Sequence, residues 1–164
     1  MKLPNQVIPI LEKITGKKGP EIEFWNYLSG DCLDDIDMFI QFSNELMISN
    51  INEESLSEIY ILVMYIFHWE ISCQFSAWYA IPNNEDDMDK IISCYRAIGL
   101  ESEADALTKT VEAWFSTNEN LDKVSEAYKS VQNKYSNENV RFSYLCDYFS
   151  KNSRFFYKNS TTMD

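Results

Sequence analysis

Glycine and proline are scarce in this chain, four of each in 164 residues, and they sit at the edges of segments whose apolar residues recur at spacings of three and four. That punctuation favours helix and leaves little room for anything else. No apolar–polar alternation bounded by Asn-Gly or Asp-Gly turns occurs, so strands lack both the pattern and the hairpins they need. The sequence therefore predicts an all-α fold. It reads as a single compact domain over residues 1–164, with seven to eight helices, a long apolar central helix and a loose tail at 159–164.

The spacing places a short helix at Val7–Ile14, ended by Thr15-Gly16, and another from Pro20 to about Leu28. A third covers Leu33–Ile48, on the periodicity of Ile36, Phe39/Ile40, Ser43 and Leu46/Met47; Ser43 is its weak position. Asn52 is a cap for a long helix from Glu53 to about Tyr79, stopped by Pro82. Asn84 can cap Glu85–Ile98, and Gly99 is a natural stop. Ser102-Glu103-Ala104-Asp105 resembles a capping box, followed by a stripe of Ala104, Leu107, Val111 and Trp114. Asn120 opens Leu121–Tyr135, and a last helix runs from Glu138 to about Tyr157.

Apolar residues make up 45% of the chain and aromatics 15%, ample material for a core. Ile59–Ile81 is apolar enough to suggest a membrane span. It contains His68, Glu70, Ser72, Gln74 and Ser76, however, and its near flanks are acidic. A central helix of a soluble bundle is the better reading. Cys32, Cys73, Cys94 and Cys146 form no Cys-x-x-Cys pair, which reads as reduced thiols in a reducing compartment. With no apolar leader at the N-terminus, the expected location is cytoplasmic.

Charge is distributed unevenly. Pro20–Asp89 holds fifteen Asp or Glu and no Lys or Arg; at the average of the whole chain, about six basic residues would fall there. The formal charge of −12 thus divides into −15 on this block and +3 on the rest. First-turn positions explain part of the pattern, since Asp34/Asp35, Glu53/Glu54, Glu85/Asp86/Asp87, Glu101 and Glu103 all favour a helix dipole there. Dipoles do not explain why cations are missing from the last turns of the same helices, where they would stabilise. Such a charge disfavours nucleic acid and anionic membranes as direct partners.

Catalytic patterns are mostly missing. His68 is the one histidine, set in the most apolar segment, where a hydrogen-bonded core role is expected. Glycines at 16, 19, 30 and 99 cannot build a phosphate loop. Asp31, Asp34, Asp35 and Asp37 do not match a calcium loop, and Glu-x-x-His is absent. The sequence predicts no enzyme, no cofactor and no specific metal site. The aromatic residues between Phe24 and Tyr79 read mainly as core.

Three segments carry a family resemblance: Phe67-His68-Trp69-Glu70-Ile71-Ser72-Cys73-Gln74-Phe75, Ile91-Ile92-Ser93-Cys94-Tyr95-Arg96-Ala97-Ile98-Gly99-Leu100, and Glu103-Ala104-Asp105-Ala106-Leu107. Together they resemble the bacterial DNA-mimic proteins typified by the nineteen-kilodalton DNA mimic of Neisseria, over about fifty residues from Phe67 to Trp114. Many relatives carry Asn-Gly-Gly before the aromatic-Gln segment, where this chain has Ile71-Ser72-Cys73. The resemblance implies an all-helical homodimer whose carboxylates imitate duplex phosphates. The implied partner is a DNA-binding protein, a helix-turn-helix transcription factor above all, whose DNA face is blocked and whose action on a promoter is relieved.

The contact residues follow from charge alone: Asp31, Asp34, Asp35, Asp37, Glu53, Glu54, Glu58, Glu85, Asp86, Asp87 and Asp89. Glu70 is left out because its mid-helix position implies partial burial. The alternative reading is an immunity or antitoxin-type inhibitor whose acidic face plugs a basic toxin such as a nuclease.

Overall fold

A computed structural model of the protein describes residues 3–18, 32–49 and 51–156. The expected helix from Pro20 to Leu28, Asp31 and the tail at 159–164 lie outside the described residues. The fold is all-α, and no strand occurs among the described residues. Two compact units divide the chain, one of Met1–Phe67 with Phe142–Asp164, the other of His68–Arg141.

In the first unit, α1 (Ile8–Thr15) starts with Pro9 in its first turn, where a missing N–H costs nothing. It ends at Gly16, whose φ of 67° lets its N–H return to the Glu12 carbonyl. Helix α2 (Cys32–Ile48) buries Ile36, Phe39, Ile40 and Leu46, as its spacing predicts. The weak position, Ser43, is fully buried too, because its hydroxyl donates to the Met64 carbonyl at 2.6 Å.

The expected helix from Glu53 to Tyr79 forms in pieces. Asn52 caps a 3-10 turn, Glu53–Ser55, through the Glu54 N–H. Helix α3 then runs only from Glu58 to Ser76. Over Ile59–Glu70 every residue except Ile61 and His68 is buried, so this stretch is apolar around most of its circumference. No described helix is long and apolar enough to cross a membrane.

Helix α8 (Glu138–Lys151) is followed by a 3-10 turn at Ser153–Phe156, shorter than the single helix expected to Tyr157. Its Phe149 tilts against both Phe39 and Phe67, with ring centroids 5.5 Å apart in each case, while Phe39 and Phe67 stack at 4.9 Å. Burying each such ring contributes about 1.5–3 kcal/mol. Tyr60 meets Phe42 and Phe156 edge-on and donates its hydroxyl to the Phe156 carbonyl.

The second unit contains the end of α3, the short α4 (Ala80–Asn83), α5 (Met88–Ala97), α6 (Glu101–Ser116), α7 (Leu121–Lys129) and the start of α8. Asn84 does not cap the next helix through its side chain; that amide donates back to the Ala80 carbonyl at 2.8 Å. Gly99, at φ 84°, reverses the chain between α5 and α6. The expected capping box does not form. Ser102 lies within α6 and donates to Asn133, while Asp105 meets Arg96 at 2.6 Å. Helix α7 stops at Lys129 rather than Tyr135, and Asn120 caps it by accepting from the Lys123 N–H.

Candidate functional site

The eleven carboxylates named from charge separate into distinct environments. Asp31 is outside the described residues, and Asp34 lies on α2 with its side chain outside them. Asp35 is a correction: it is only 7% exposed, on the buried face of α2, and cannot present a charge outward. Glu53 accepts a hydrogen bond from Tyr65 Oη at 2.6 Å. Asp37, Glu54 and Glu58 are exposed in the first unit.

In the second unit, Glu85, Asp86 and Asp87 form a 3-10 turn that leads into α5, with Asp89 in its first turn. Glu85, Asp86 and Asp89 are exposed. Asp87 stands 4.0 Å from Lys90. Among the described residues no cation lies within ion-pair distance of Asp37, Glu54, Glu58, Glu85, Asp86 or Asp89.

Glu70 is more deeply buried than its sequence position implies, at 1% exposure. It belongs to a polar centre of the second unit. Arg141 grips it two-pronged, with Nε donating to Oε1 at 2.6 Å and Nη2 to Oε2 at 2.8 Å. A third guanidinium nitrogen, Nη1, donates to the Tyr135 carbonyl at 2.8 Å. Tyr95 Oη also donates to Glu70. Burial opposes the Arg141 charge, but the hydrogen bonds and charge of Glu70 prevail and push its pKa up. Burial, then the Glu70 charge, holds the Tyr95 hydroxyl protonated well beyond its ordinary range.

Glu103 is the second buried carboxyl, at 3% exposure. The sequence reading assigned it to the helix dipole at the start of α6; its side chain instead turns into the unit. Tyr128 Oη donates to it at 3.0 and 2.8 Å, and Asn133 Nδ2 donates to Oε2. Its pKa is raised, since burial outweighs the opposing pull of Arg141, Tyr128 and Asn133.

These groups border an open cleft of about 260 Å³. Trp69, Trp78, Tyr128 and Leu107 supply apolar and aromatic wall, and Glu103, Arg141, Cys73 and Ser136 supply polar groups. Trp78 and Tyr128 lie 5.1 Å apart, ring to ring, and the Trp78 indole N–H donates to Ser125 Oγ at 3.0 Å. Ala77, also on the wall, has a φ of 47°. A non-glycine residue in that region costs about 1–2 kcal/mol, and here it marks the point where α3 breaks into the turn carrying Trp78.

Burial, and then the Glu70 charge, push the Cys73 thiol far up, so it is no ready nucleophile. His68 differs from its expected hydrogen-bonded role: its Nδ1 is buried and has no hydrogen-bond partner among the described residues. No group of three His, Cys, Asp or Glu residues converges as a metal-binding set among the described residues.

Comparison with protein-family models, with curated proteins and with solved structures finds no match to this chain.

Proposed function

We propose that the protein is an acidic DNA mimic that occupies the DNA-binding face of a basic protein, such as a helix-turn-helix transcription factor, and keeps it from DNA. The observation carrying this reading is the set of exposed carboxylates with no cation within ion-pair distance among the described residues: Asp37, Glu54 and Glu58 in one unit, Glu85, Asp86 and Asp89 in the other. Unscreened anions on helices and short turns need little ordering when they meet a row of Lys and Arg. Their field accelerates encounter and fades as salt rises. The likeness of Phe67–Trp114 to the DNA-mimic family supports the same reading, including a homodimer acting in the cytoplasm.

Charge reversal tests it. Glu85→Lys, Asp86→Lys and Asp89→Lys together remove three anions and add three cations without touching a buried side chain. Proteins captured from the native host at low salt should include nucleic-acid binders, should elute at high salt, and should be lost with the triple variant. Capture of a single basic toxin, with protection of cells from it, would replace mimicry by the immunity reading.

A further inference from the structure

We propose that the cleft beside Glu103 is a binding site for a small protonated alkylamine. This inference is independent of the mimicry reading, because it concerns a recessed cleft within the second unit rather than the exposed acids.

Charge sets the sign of the ligand. Two buried carboxyls, Glu70 and Glu103, share this centre with one guanidinium, Arg141, so that one negative charge is left over whenever Glu103 is ionised. Arg141 directs two of its nitrogens to Glu70. The hydrogen bonds that Glu103 receives come from neutral groups, Tyr128 and Asn133. Its carboxyl pKa is raised by burial, and a cation entering the cleft would relieve that by stabilising the ionised form.

The walls determine what surrounds that charge. Trp69, Trp78 and Tyr128 line the cleft, with the Trp78 and Tyr128 rings tilted against each other at 5.1 Å. Aromatic faces attract ammonium groups and pack well on alkyl stems. Acceptor capacity is left for the ligand. A carboxylate has about four acceptor positions, and two donors already reach Glu103, the single Tyr128 O–H shared between its two oxygens and the Asn133 amide. The positions that remain can accept the N–H of an ammonium. A cleft of 260 Å³ lies near the small end of ligand sites, matching a short amine rather than a nucleotide.

The probe is n-butylammonium, with n-butanol as its neutral counterpart. Binding is read by calorimetry and by the indole N–H resonances of Trp69 and Trp78 in the full chain. We expect saturable binding of the ammonium and binding of the alcohol weaker by about tenfold or more. Glu103→Gln, which keeps an acceptor for Tyr128 and Asn133, should lose about tenfold for the ammonium and leave the alcohol unchanged. Trp78→Leu provides a second variant that leaves the buried polar groups in place, and it should weaken both. Absence of saturable binding, equal binding of ammonium and alcohol, or full ammonium affinity in a folded Glu103→Gln would each overturn the proposal.

Discussion

Arg141→Met puts the polar centre of the second unit to its most demanding test. The substitution keeps most of the aliphatic volume and removes the guanidinium. What it leaves behind is Glu70, whose side chain is 2% exposed and whose two oxygens have lost both Arg141 bonds. Tyr95 alone among the groups described then reaches it. Removing one partner of a buried ion pair typically costs about 3–5 kcal/mol, because the other charge stays buried and uncompensated. For a chain of this length that is a fall in Tm of roughly 6–20 °C. The companion variant is Glu70→Gln/Arg141→Met, which removes both charges. Its loss should be smaller than that of Arg141→Met by about 1 kcal/mol or more, a coupling that a double-mutant cycle isolates. Urea unfolding followed by far-UV circular dichroism, with midpoint and slope read together, measures both. If Arg141→Met costs less than about 1 kcal/mol, or the double variant is no better than the single one, the pair does not hold this centre together.

Three further outcomes follow from the same structure. Glu103 keeps its proton to higher pH in the folded state than in the unfolded chain, where its ordinary value is 4.5. The stability this provides is full below 4.5 and is lost as pH rises through the raised value, so Glu103→Gln should gain on the native protein as pH increases; a pH-independent difference would contradict the burial argument. Glu119, exposed beyond the end of α6, has a φ of 61°. Glu119→Gly should therefore raise unfolding stability by about 0.5–1 kcal/mol, and a loss would show that the left-handed position is not strained. The triple reversal at Glu85, Asp86 and Asp89 should leave the helical signal and the unfolding midpoint close to native while changing partner capture, since all three side chains are exposed.

Helical class was legible because periodicity and punctuation are local. Gly16 and Gly99 stop their helices through positive φ, and Phe142, Leu145, Phe149 and Phe156 are buried as their spacing predicts. Helix ends were less legible, because tertiary partners compete with local caps. Ser102 and Asp105 had the sequence of a capping box, yet Asn133 and Arg96 took their side chains. Asp35 illustrates the same limit: a first-turn acid satisfies the dipole rule whether it faces water or the core, and only packing decides.

The buried centre was the least legible part. Glu70 and Arg141 are 71 positions apart, and no local rule pairs them. Glu103 did leave a signal. Glu103, Leu107, Thr110 and Trp114 follow steps of four, three and four, and all four are buried, whereas Val111 is half-buried. The inward face of α6 is thus turned slightly from the one read from Ala104, Leu107, Val111 and Trp114, enough to bring a carboxyl inside.

Competition between duplex DNA and the protein for a captured partner bears most directly on the proposed function. The partner is held on the immobilised protein at low salt and challenged with increasing duplex. Mimicry requires that DNA release it, that release and binding both weaken steeply with salt, and that the triple reversal abolish capture. A partner that stays bound in excess duplex, or binds DNA and this protein together, would contradict it.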